Sequence, residues 1–454
     1  MAPSAAGITP VEGIVNINTV DGLTKNTLLT YFTQVVIDKA ENHLVTDVDG
    51  RQYIDFISQM AVMNYGYSNP RIVKAVVEQV QKITLVNTAF INPLYAQFAD
   101  RITKKFGFDS IATMLSGSEA VESAIKVVRK WAYVNKGVDP DEAWILTTDH
   151  CYHGITLATM SLSNVVADSE RTPVRFMQSV LISSLDFGKH LPHVGPLSPS
   201  TGKLIAFGEL DVLRETFELD GHMIAAFMIE PIQGLAGTRI PHKGYLRAVQ
   251  DLCHKHNVLF VCDEVQTGFG RTGFDLAFQA EDVKPDLVAL GKAVTGGMYP
   301  MSVLMGKAHV MDVISKYEIA GTYSASPVAC AAALASLDIL EEEKISDRSQ
   351  RLGELLTKTI DELAPPYVLD HRGRGRGLFQ TLVLDESKPG VTARRVGALA
   401  ALRGVLIGIG ANRLRFSPPL TIPEDDLVKA ITIIVQCIKD VEKLGDFPGS
   451  DYLN

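Results

Sequence analysis

The sequence predicts an α/β fold in which a mostly parallel sheet is covered by helices. Four short apolar runs recur through the middle of the 454-residue chain, at 144–148, 223–230, 258–264 and 287–291. Segments with helical periodicity, such as 244–257, separate them. Continuous apolar runs of this length are typical of strands buried on both faces, and their alternation with helices is typical of parallel connections.

The two ends of the chain follow a different pattern and predict a smaller α+β lobe. Residues 43–56 form two alternating runs around Asp49-Gly50, a dipeptide that favours a β-hairpin. After Pro327 the pattern becomes helical, and from about Tyr367 strands precede a final amphipathic helix near 425–444. We therefore expect a small domain built from 1–65 and 327–454 and a large domain at 66–326, with a loop at 193–203.

The composition is that of a globular enzyme. Hydrophobic residues make up 46% of the chain and charged residues 21%, which excludes a mainly disordered chain. With 43 basic and 52 acidic residues, the formal charge of -9 has the wrong sign for a nucleic-acid-binding surface. Five scattered cysteines, no signal-peptide pattern and no bilayer-length apolar run predict a cytoplasmic protein without a membrane segment.

Two charged residues stand at the ends of predicted buried strands, where a parallel sheet binds its ligands. Lys292 follows a strand and precedes a Gly-Gly turn. A buried lysine is stable there if its pKa falls or if it forms an imine, and a lysine that reaches solvent is the alternative. Asp263, followed by Glu264, could pair with a protonated ring nitrogen or simply cap the next turn.

Gly117 and Ser118 begin a strong amphipathic helix that runs to about Tyr133. Its free N–H groups, with a serine hydroxyl, suit a phosphate, although an ordinary N-cap is compatible with the same pattern. The glycines of 268–273 match a G-x-G-x-x-G spacing, but two acids precede them where phosphates would lie. A loop is therefore favoured there over a dinucleotide site.

The segment 149–154, Asp-His-Cys-Tyr-His-Gly, combines metal-binding residue types. No second ligand pair with zinc spacing accompanies it in the sequence, so no metal site is predicted. Tyr152 is more informative, because an aromatic side chain at a strand end can stack on a planar ring. An imine-forming lysine, a carboxylate for a ring nitrogen, a stacking aromatic side chain and a phosphate site together predict a pyridoxal phosphate enzyme.

Seven motifs make the chain similar to the class III aminotransferases of fold type I, and within that family to the ornithine aminotransferases. In order they are GSEAVE, YHG, EPIQG, DEVQTGFGRTG, LGKAVTGGMYP, GTY and RFSPPL, and the likeness runs from about Ala40 to about Lys439. The resemblance implies a large domain with a seven-stranded sheet and pyridoxal 5'-phosphate as the cofactor. It also implies an amino acid and a 2-oxo acid as substrates, and a homodimer with its active sites at the subunit interface.

The resemblance further implies roles for individual residues. Lys292 forms the Schiff base and shuttles a proton, Asp263 contacts the pyridine nitrogen, and Tyr152 stacks on the ring to complete the catalytic set. Arg415 matches the family's carboxylate-binding arginine, and a planar guanidinium suits that role. The remaining cofactor contacts are implied for Gly117, Ser118, Glu230, Gln266 and Thr322, the last of these toward the neighbouring subunit.

Four positions depart from the ornithine aminotransferases on the substrate side. Ile155 replaces an arginine, and Leu235 replaces a glutamate that masks the equivalent of Arg415. Met60 and Ile91 replace two tyrosines. These four side chains predict an apolar substrate wall against which the side-chain ammonium group of ornithine would remain unpaired. Arg415 is accordingly predicted to be free to take a substrate carboxylate.

The predicted reaction is amino-group transfer between a neutral amino acid, branched ones included, and a 2-oxo acid. A racemase or epimerase of neutral amino acids on the same fold is one alternative. A non-catalytic pyridoxal phosphate- or nucleotide-binding protein is the alternative from another class. The segment Ser163–Phe207 is longer than in the family, and residues 324–327 replace its G-G-N-P, so the mouth of the site is expected to differ.

Overall fold

The structure is a computed structural model that describes residues 35–163 and 191–450. Its strands are β1 (Ile37–Glu41), β2 (Leu44–Asp47), β3 (Gln52–Asp55), β4 (Ser110–Met114), β5 (Trp144–Leu146), β6 (Val194–Gly195), β7 (Ile224–Ile229), β8 (Leu259–Asp263), β9 (Leu287–Leu290), β10 (Ser302–Gly306), β11 (Val368–Arg372), β12 (Gln380–Leu384), β13 (Val405–Leu406), β14 (Gly408–Gly410) and β15 (Arg413–Phe416). Its helices are α1 (Pro70–Lys82), α2 (Pro93–Phe106), α3 (Gly117–Trp131), α4 (Leu157–Leu162), α5 (Asp211–Asp220), α6 (Tyr245–Lys255), α7 (Ala308–Met311), α8 (Pro327–Glu342), α9 (Ile345–Leu363), α10 (Ala393–Leu402) and α11 (Glu424–Asp440).

Seven of these strands form the central sheet, in the order β4-β10-β9-β8-β7-β5-β6. The strands from β9 to β6 pair in parallel, whereas β10 is antiparallel to both of its neighbours. Every residue of β7, β8, β9 and β10 is buried, which is why their sequences are continuously apolar. The predicted mostly parallel sheet is confirmed. Its three neighbouring strands β7, β8 and β9 bring Glu230, Asp263 and Lys292 to one edge.

Two further four-stranded sheets are β1-β2-β3-β13 and β11-β12-β15-β14, and the second contains C-terminal strands only. Strand β13 pairs in parallel with β3, so residues from both ends of the chain share the first sheet. Helices α9 and α11 pack against each other, while α8 packs against α1 and α2. Contacts between distant parts of the chain therefore join its two ends, and the division into a large and a small domain stays a prediction.

The β2–β3 hairpin forms around Asp49-Gly50, as predicted. Asp47 and Arg51 close the turn through a backbone hydrogen bond of 2.9 Å. Gly50 has a φ of 85°, a left-handed conformation that glycine adopts without strain. The Asp47 carboxylate accepts hydrogen bonds from the N–H groups of Asp49 (3.0 Å) and Arg51 (2.9 Å). Local turn chemistry is thus sufficient to form this element.

Several predicted boundaries need correction. The four strands end one or two residues earlier than their apolar runs. The prediction of a simple loop at 193–203 is wrong, because Val194–Gly195 form β6 against β5 and Leu197 bridges to Leu204. A two-residue strand held by a distant partner has no recognisable local pattern.

Two other expectations concern the segment between Ser163 and Phe207 and the absence of a membrane segment. Most of the longer segment between Ser163 and Phe207 lies outside the described residues. Within the two described ranges, no helix has both the length and the apolar character needed to cross a membrane.

Candidate active site

A cavity of about 190 Å³ lies at the carboxyl edge of the central sheet. It brings together residues from five separate sequence motifs, at the edge where parallel α/β sheets bind ligands. Seven of the predicted cofactor-binding residues meet there. The lining residues are Ser116, Gly117, Ser118, Tyr152, His153, Gly154, Glu230, Asp263, Val265, Gln266, Thr267 and Lys292.

Lys292 lies in a short 3₁₀ turn directly after β9. Its φ of 45° is left-handed, a strained conformation for a residue with a side chain. Burial lowers the pKa of Lys292, the charges of Asp263 and Glu230 act in the opposite direction, and Arg415 lowers it further. A lowered pKa increases the fraction of neutral amine, the form that can attack a carbonyl carbon.

Asp263 ends β8, and its buried carboxylate is held from two sides. The Val265 N–H donates to Oδ1 (3.0 Å), and His153 Nδ1 lies 2.7 Å from Oδ2. Burial pulls the pKa of His153 down, but its hydrogen bond to Asp263, together with the nearby Cys151 and the Asp263 charge, outweighs that effect and raises it well above the usual value. A protonated imidazole can therefore donate to the Asp263 carboxylate.

His153 is a site residue that the sequence patterns do not reveal. In the sequence its residue type suggests only a metal ligand, because its partner Asp263 is 110 residues away along the chain. Its position directly after Tyr152 was the available clue. Among the described residues no cluster of three or more histidine, cysteine or acidic side chains could hold a metal ion.

The first turn of α3 faces the cavity. Ser116 and Glu119 form a capping box, in which the Ser116 hydroxyl accepts from the Glu119 N–H (3.3 Å) and Glu119 accepts from the Ser116 N–H (2.8 Å). The N–H groups of Gly117 and Ser118 have no acceptor within the helix. A Cβ atom on Gly117 would come within 2.6 Å of Val265 Cγ1, so the backbone approaches closely there. The capping box therefore leaves the N–H groups of Gly117 and Ser118 available to an anion.

Glu230 connects the Tyr152 loop to the loop after β7. Its two carboxylate oxygens accept from the N–H groups of Tyr152 (2.9 Å) and Gly234 (3.3 Å). Burial raises the pKa of Glu230 to about 7, with the Asp263 charge adding to the effect and His153 opposing it. The half-buried Tyr152 is thereby held at the wall of the cavity.

Gln266 receives a contact from the N-terminal part of the chain. Residues 58–61 form a left-handed turn with φ between 43° and 65°, although none of them is glycine. The Met60 carbonyl of this turn accepts a hydrogen bond from Gln266 Nε2 (3.3 Å). The turn therefore fixes the amide of a predicted cofactor residue.

Arg415 lies on β15 and is buried, with 9% of its surface exposed. Burial lowers the pKa of Arg415 to about 10, with the neighbouring Arg413 charge lowering it further and Glu230 opposing this. In the described parts of the chain the Arg415 guanidinium has no hydrogen-bond or ion-pair partner. Arg413, by contrast, donates from its NH1 group to the Ala236 carbonyl (2.9 Å).

Neither Arg415 nor the other four predicted substrate residues line the cavity of this single chain. Met60 and Leu235 are half-buried, and Ile155 is 64% exposed, with its N–H 3.4 Å from the Ser118 hydroxyl. Ile91 is 91% exposed. Thr322, predicted to reach the neighbouring subunit, is also exposed.

The residues around the cavity fit pyridoxal phosphate. The buried carboxylate of Asp263, with His153 Nδ1 2.7 Å away, can hold a protonated ring nitrogen. The N-terminus of α3, where a Cβ atom would clash, can take a phosphate group. Lys292 supplies the amine for a Schiff base. This combination on a parallel sheet defines the pyridoxal phosphate-dependent enzymes of fold type I.

Comparisons with known proteins lead to a specific family. The model of the family described as aminotransferase class-III matches residues 29–438. An ornithine aminotransferase of Emericella nidulans is 39% identical over 412 residues, covering 90% of this chain and 87% of that protein.

Solved structures agree with this result. The ornithine aminotransferase of Toxoplasma gondii, with pyridoxal phosphate at partial occupancy in its active site, superposes with a TM-score of 0.84 at 31% identity, covering 94% and 96% of the two chains. An acetylornithine aminotransferase of Elizabethkingia anophelis superposes with a TM-score of 0.79 at 33% identity, covering 94% and 99%.

The chain belongs to the class III aminotransferase family. It is a pyridoxal phosphate-dependent aminotransferase, which confirms the predicted fold, cofactor and class of enzyme.

Proposed function

We propose that this aminotransferase acts on a neutral amino acid and that Arg415 binds the substrate carboxylate. The observation that carries the proposal is the buried Arg415 guanidinium without a partner among the described residues. A buried guanidinium is costly unless an anion accompanies it. A substrate carboxylate is the anion that fits its planar, two-pronged geometry.

The proposed substrate wall offers no side-chain acceptor for a second ammonium group. Leu235, Met60 and Ile155 carry apolar side chains. Glu230 already accepts two backbone hydrogen bonds, and its raised pKa opposes full ionisation near neutral pH. Ornithine would therefore leave a charge unpaired, whereas a neutral side chain would not.

The chain's own residues have separate tasks in the transfer. Bound pyridoxal phosphate supplies the electron sink for the pair left at the substrate Cα when its proton is removed. Lys292 takes that proton as a neutral amine and returns it elsewhere as an ammonium. Asp263 holds the proton on the ring nitrogen, and the first turn of α3 binds the phosphate. Arg415 orients the substrate by its carboxylate.

The proposed active form is a homodimer. In the single chain, Phe90, Ile91 and Tyr323 expose 75%, 91% and 51% of their surfaces. Ile91 is a predicted substrate contact, and Tyr323 directly follows the exposed Thr322. Large exposed apolar side chains support an interface at these segments. We expect the native chain to sediment at twice its own mass and Phe90→Asp to shift it toward the monomer. A monomeric and fully active native chain would contradict this assembly.

The substrate proposal is tested on the holoenzyme with single L-amino acids in deuterium oxide, first without and then with a 2-oxo acid. We expect neutral amino acids to yield stoichiometric pyridoxamine phosphate and one equivalent of 2-oxo acid. Their kcat/KM should exceed that of ornithine about 100-fold, the cost of one unpaired charge. A preference for ornithine would overturn the proposal. Catalytic release of a Cα-deuterated D-isomer would instead identify a racemase.

Matched variants locate the specificity. Leu235→Glu places a carboxylate where Arg415 would find a partner, so activity with neutral amino acids should fall while activity with ornithine rises. Leu235→Gln has nearly the same volume without the charge and serves as the control. If both variants change the two activities equally, charge at this position does not set the specificity.

A further inference from the structure

A line of buried polar contacts leads from Asp263 away from the cavity. His153 Nδ1 lies 2.7 Å from the Asp263 carboxylate, and His153 Nε2 lies 3.2 Å from the Thr147 hydroxyl. The Thr147 hydroxyl donates to Cys151 Sγ (3.3 Å), and the Cys151 thiol donates to the Leu162 carbonyl (3.0 Å). Asp263, His153, Thr147 and Cys151 are all buried.

The direction of these hydrogen bonds determines where the protons lie. The Leu162 carbonyl can only accept, so the thiol hydrogen of Cys151 points to it. The thiol sulfur is then available to accept the single hydrogen of the Thr147 hydroxyl. The Thr147 oxygen consequently presents a lone pair to His153 Nε2, which satisfies that nitrogen if it carries a proton. Because Nδ1 donates to Asp263, a proton on both nitrogens makes His153 a cation.

We propose that Thr147, oriented by Cys151, is a positioning residue that holds a proton on Nε2 of His153 and so maintains a buried imidazolium behind Asp263. The proposal rests on the proposed role of Asp263 toward the ring nitrogen of the cofactor. The imidazolium donates a hydrogen bond to the Asp263 carboxylate, and a carboxylate at that position favours a protonated ring nitrogen.

The charges around His153 are compatible with a cation. Asp263, at the end of β8, is in direct contact, and Glu230, after β7, acts through space. Cys151, on the same loop, donates its thiol hydrogen to the α4 backbone. The hydrogen bond to Asp263 and the acidic surroundings raise the pKa of His153 despite its burial. This direction agrees with the protonated imidazole that the hydrogen bonds require.

The proton positions can be measured directly in the cofactor-free protein. Ring-¹⁵N-labelled histidine gives 11 pairs of imidazole signals, one pair for each histidine, and loss of one pair in His153→Gln assigns His153. We expect both His153 nitrogens to be protonated near pH 7.5 in the native chain. Thr147→Val, which has nearly the same shape but no hydroxyl, should leave Nε2 unprotonated, whereas Thr147→Ser should keep the native signals.

Cys151 and a remote threonine provide further matched variants. Cys151→Ser keeps a donor and an acceptor and should resemble the native chain, while Cys151→Ala frees the Thr147 hydrogen to turn toward Nε2 and should reduce the protonated fraction. Thr216→Val removes a buried hydroxyl that donates to the Val212 carbonyl, far along the chain on α5, and should leave the His153 signals unchanged.

Binding of pyridoxal phosphate to the apoenzyme is the second measurement. Loss of a hydrogen bond to a charged group should raise the Kd of Thr147→Val by about 10- to 100-fold, and Thr147→Ser should restore the native value. A neutral His153 in the native chain, or a Thr147→Val variant with unchanged signals or unchanged Kd, would overturn the proposal. Asp263→Asn separates the two ideas: if it leaves the Kd unaltered, the role of Asp263 fails even where the His153 signals respond to Thr147.

Discussion

Replacing Arg415 with methionine should lower activity and raise stability, two effects that rarely coincide. In the cofactor- and substrate-free protein the guanidinium is buried without a partner among the described residues, so it destabilises the fold. In the substrate complex the same group would bind a carboxylate. Arg415→Met removes both the cost and the binding.

The pKa shift sets the magnitude of the cost. Burial lowers the pKa of Arg415 well below its ordinary value, to about 10. A lowered pKa on a cation means that the charged form is disfavoured in the folded state at every pH below 10. At about 1.4 kcal/mol per unit, the cost is about 3 kcal/mol. Lost packing of the arginine stem offsets about 1 to 2 kcal/mol of the gain, so the apoenzyme should become about 1 kcal/mol more stable.

The loss of activity follows from the hydrogen bonds that the guanidinium would make. Two charge-assisted bonds at about 1.5 to 3 kcal/mol each correspond to a fall in kcat/KM of about 10² to 10⁴ with a neutral amino acid. Arg413→Met is the control, because Arg413 already donates to the Ala236 and Gly410 carbonyls. It should lower the Tm of the apoenzyme.

The assay combines thermal scans of both apoenzymes with steady-state kinetics of 2-oxo acid formation. We expect an unchanged or higher Tm and a large loss of kcat/KM for Arg415→Met. If Arg415→Met lowers the Tm as much as Arg413→Met does, or reduces kcat/KM less than fivefold, Arg415 is a structural residue and the reasoning fails.

Other variants test the site and the packing around it. Lys292→Ala should show no cofactor mass after borohydride reduction, and a retained adduct would reject Lys292 as the Schiff-base residue. Gly117→Ala, whose Cβ would lie 2.6 Å from Val265, should weaken pyridoxal phosphate binding at least about tenfold in apoenzyme titrations. Unchanged binding would show that the first turn of α3 does not hold the phosphate. Arg271→Met leaves several buried carbonyl acceptors unpaired and should lower the free energy of unfolding by about 3 kcal/mol, seen as a lower Tm. Burial raises the pKa of Glu230 from 4.5 to about 7, so Glu230 should destabilise the native chain by about 3 kcal/mol in all as the pH rises through that interval. Denaturant titrations should therefore show that Glu230→Gln becomes more stable relative to the native chain from pH 4.5 to 7. A stability difference that stays constant with pH would refute the shift.

Much of the site could be predicted because its residues follow strong local patterns. Continuous apolar runs identify β7, β8 and β9, and Asp263 and Lys292 stand at the ends of two of them. The start of α3 is visible because Ser116 and Glu119 have capping-box spacing. In each case a few neighbouring residues contain the full signal. Side-chain direction repeats every 2 residues in a strand and every 3.6 residues in a helix, and both repeats are local properties.

The contacts that complete the site are of a different kind. His153 reaches Asp263 across 110 residues, and Met60 reaches Gln266 across 206. Fully buried Arg271 donates to the Leu378 and Pro418 carbonyls, more than 100 residues away. No local pattern specifies which distant groups will meet. Their pairing depends on how the sheets and helices pack.

The sequence by itself determined the α/β class, the mostly parallel character of the central sheet and the residues facing its carboxyl edge, because strand burial and helix capping act over a few residues. Tertiary structure alone brought His153 within hydrogen-bonding distance of Asp263. It also left Arg415 buried without an acidic partner among the described residues and placed Ile91 on the exterior of the single chain. These outcomes depend on desolvation and on charges brought together by folding, and both quantities exist only once distant segments are packed.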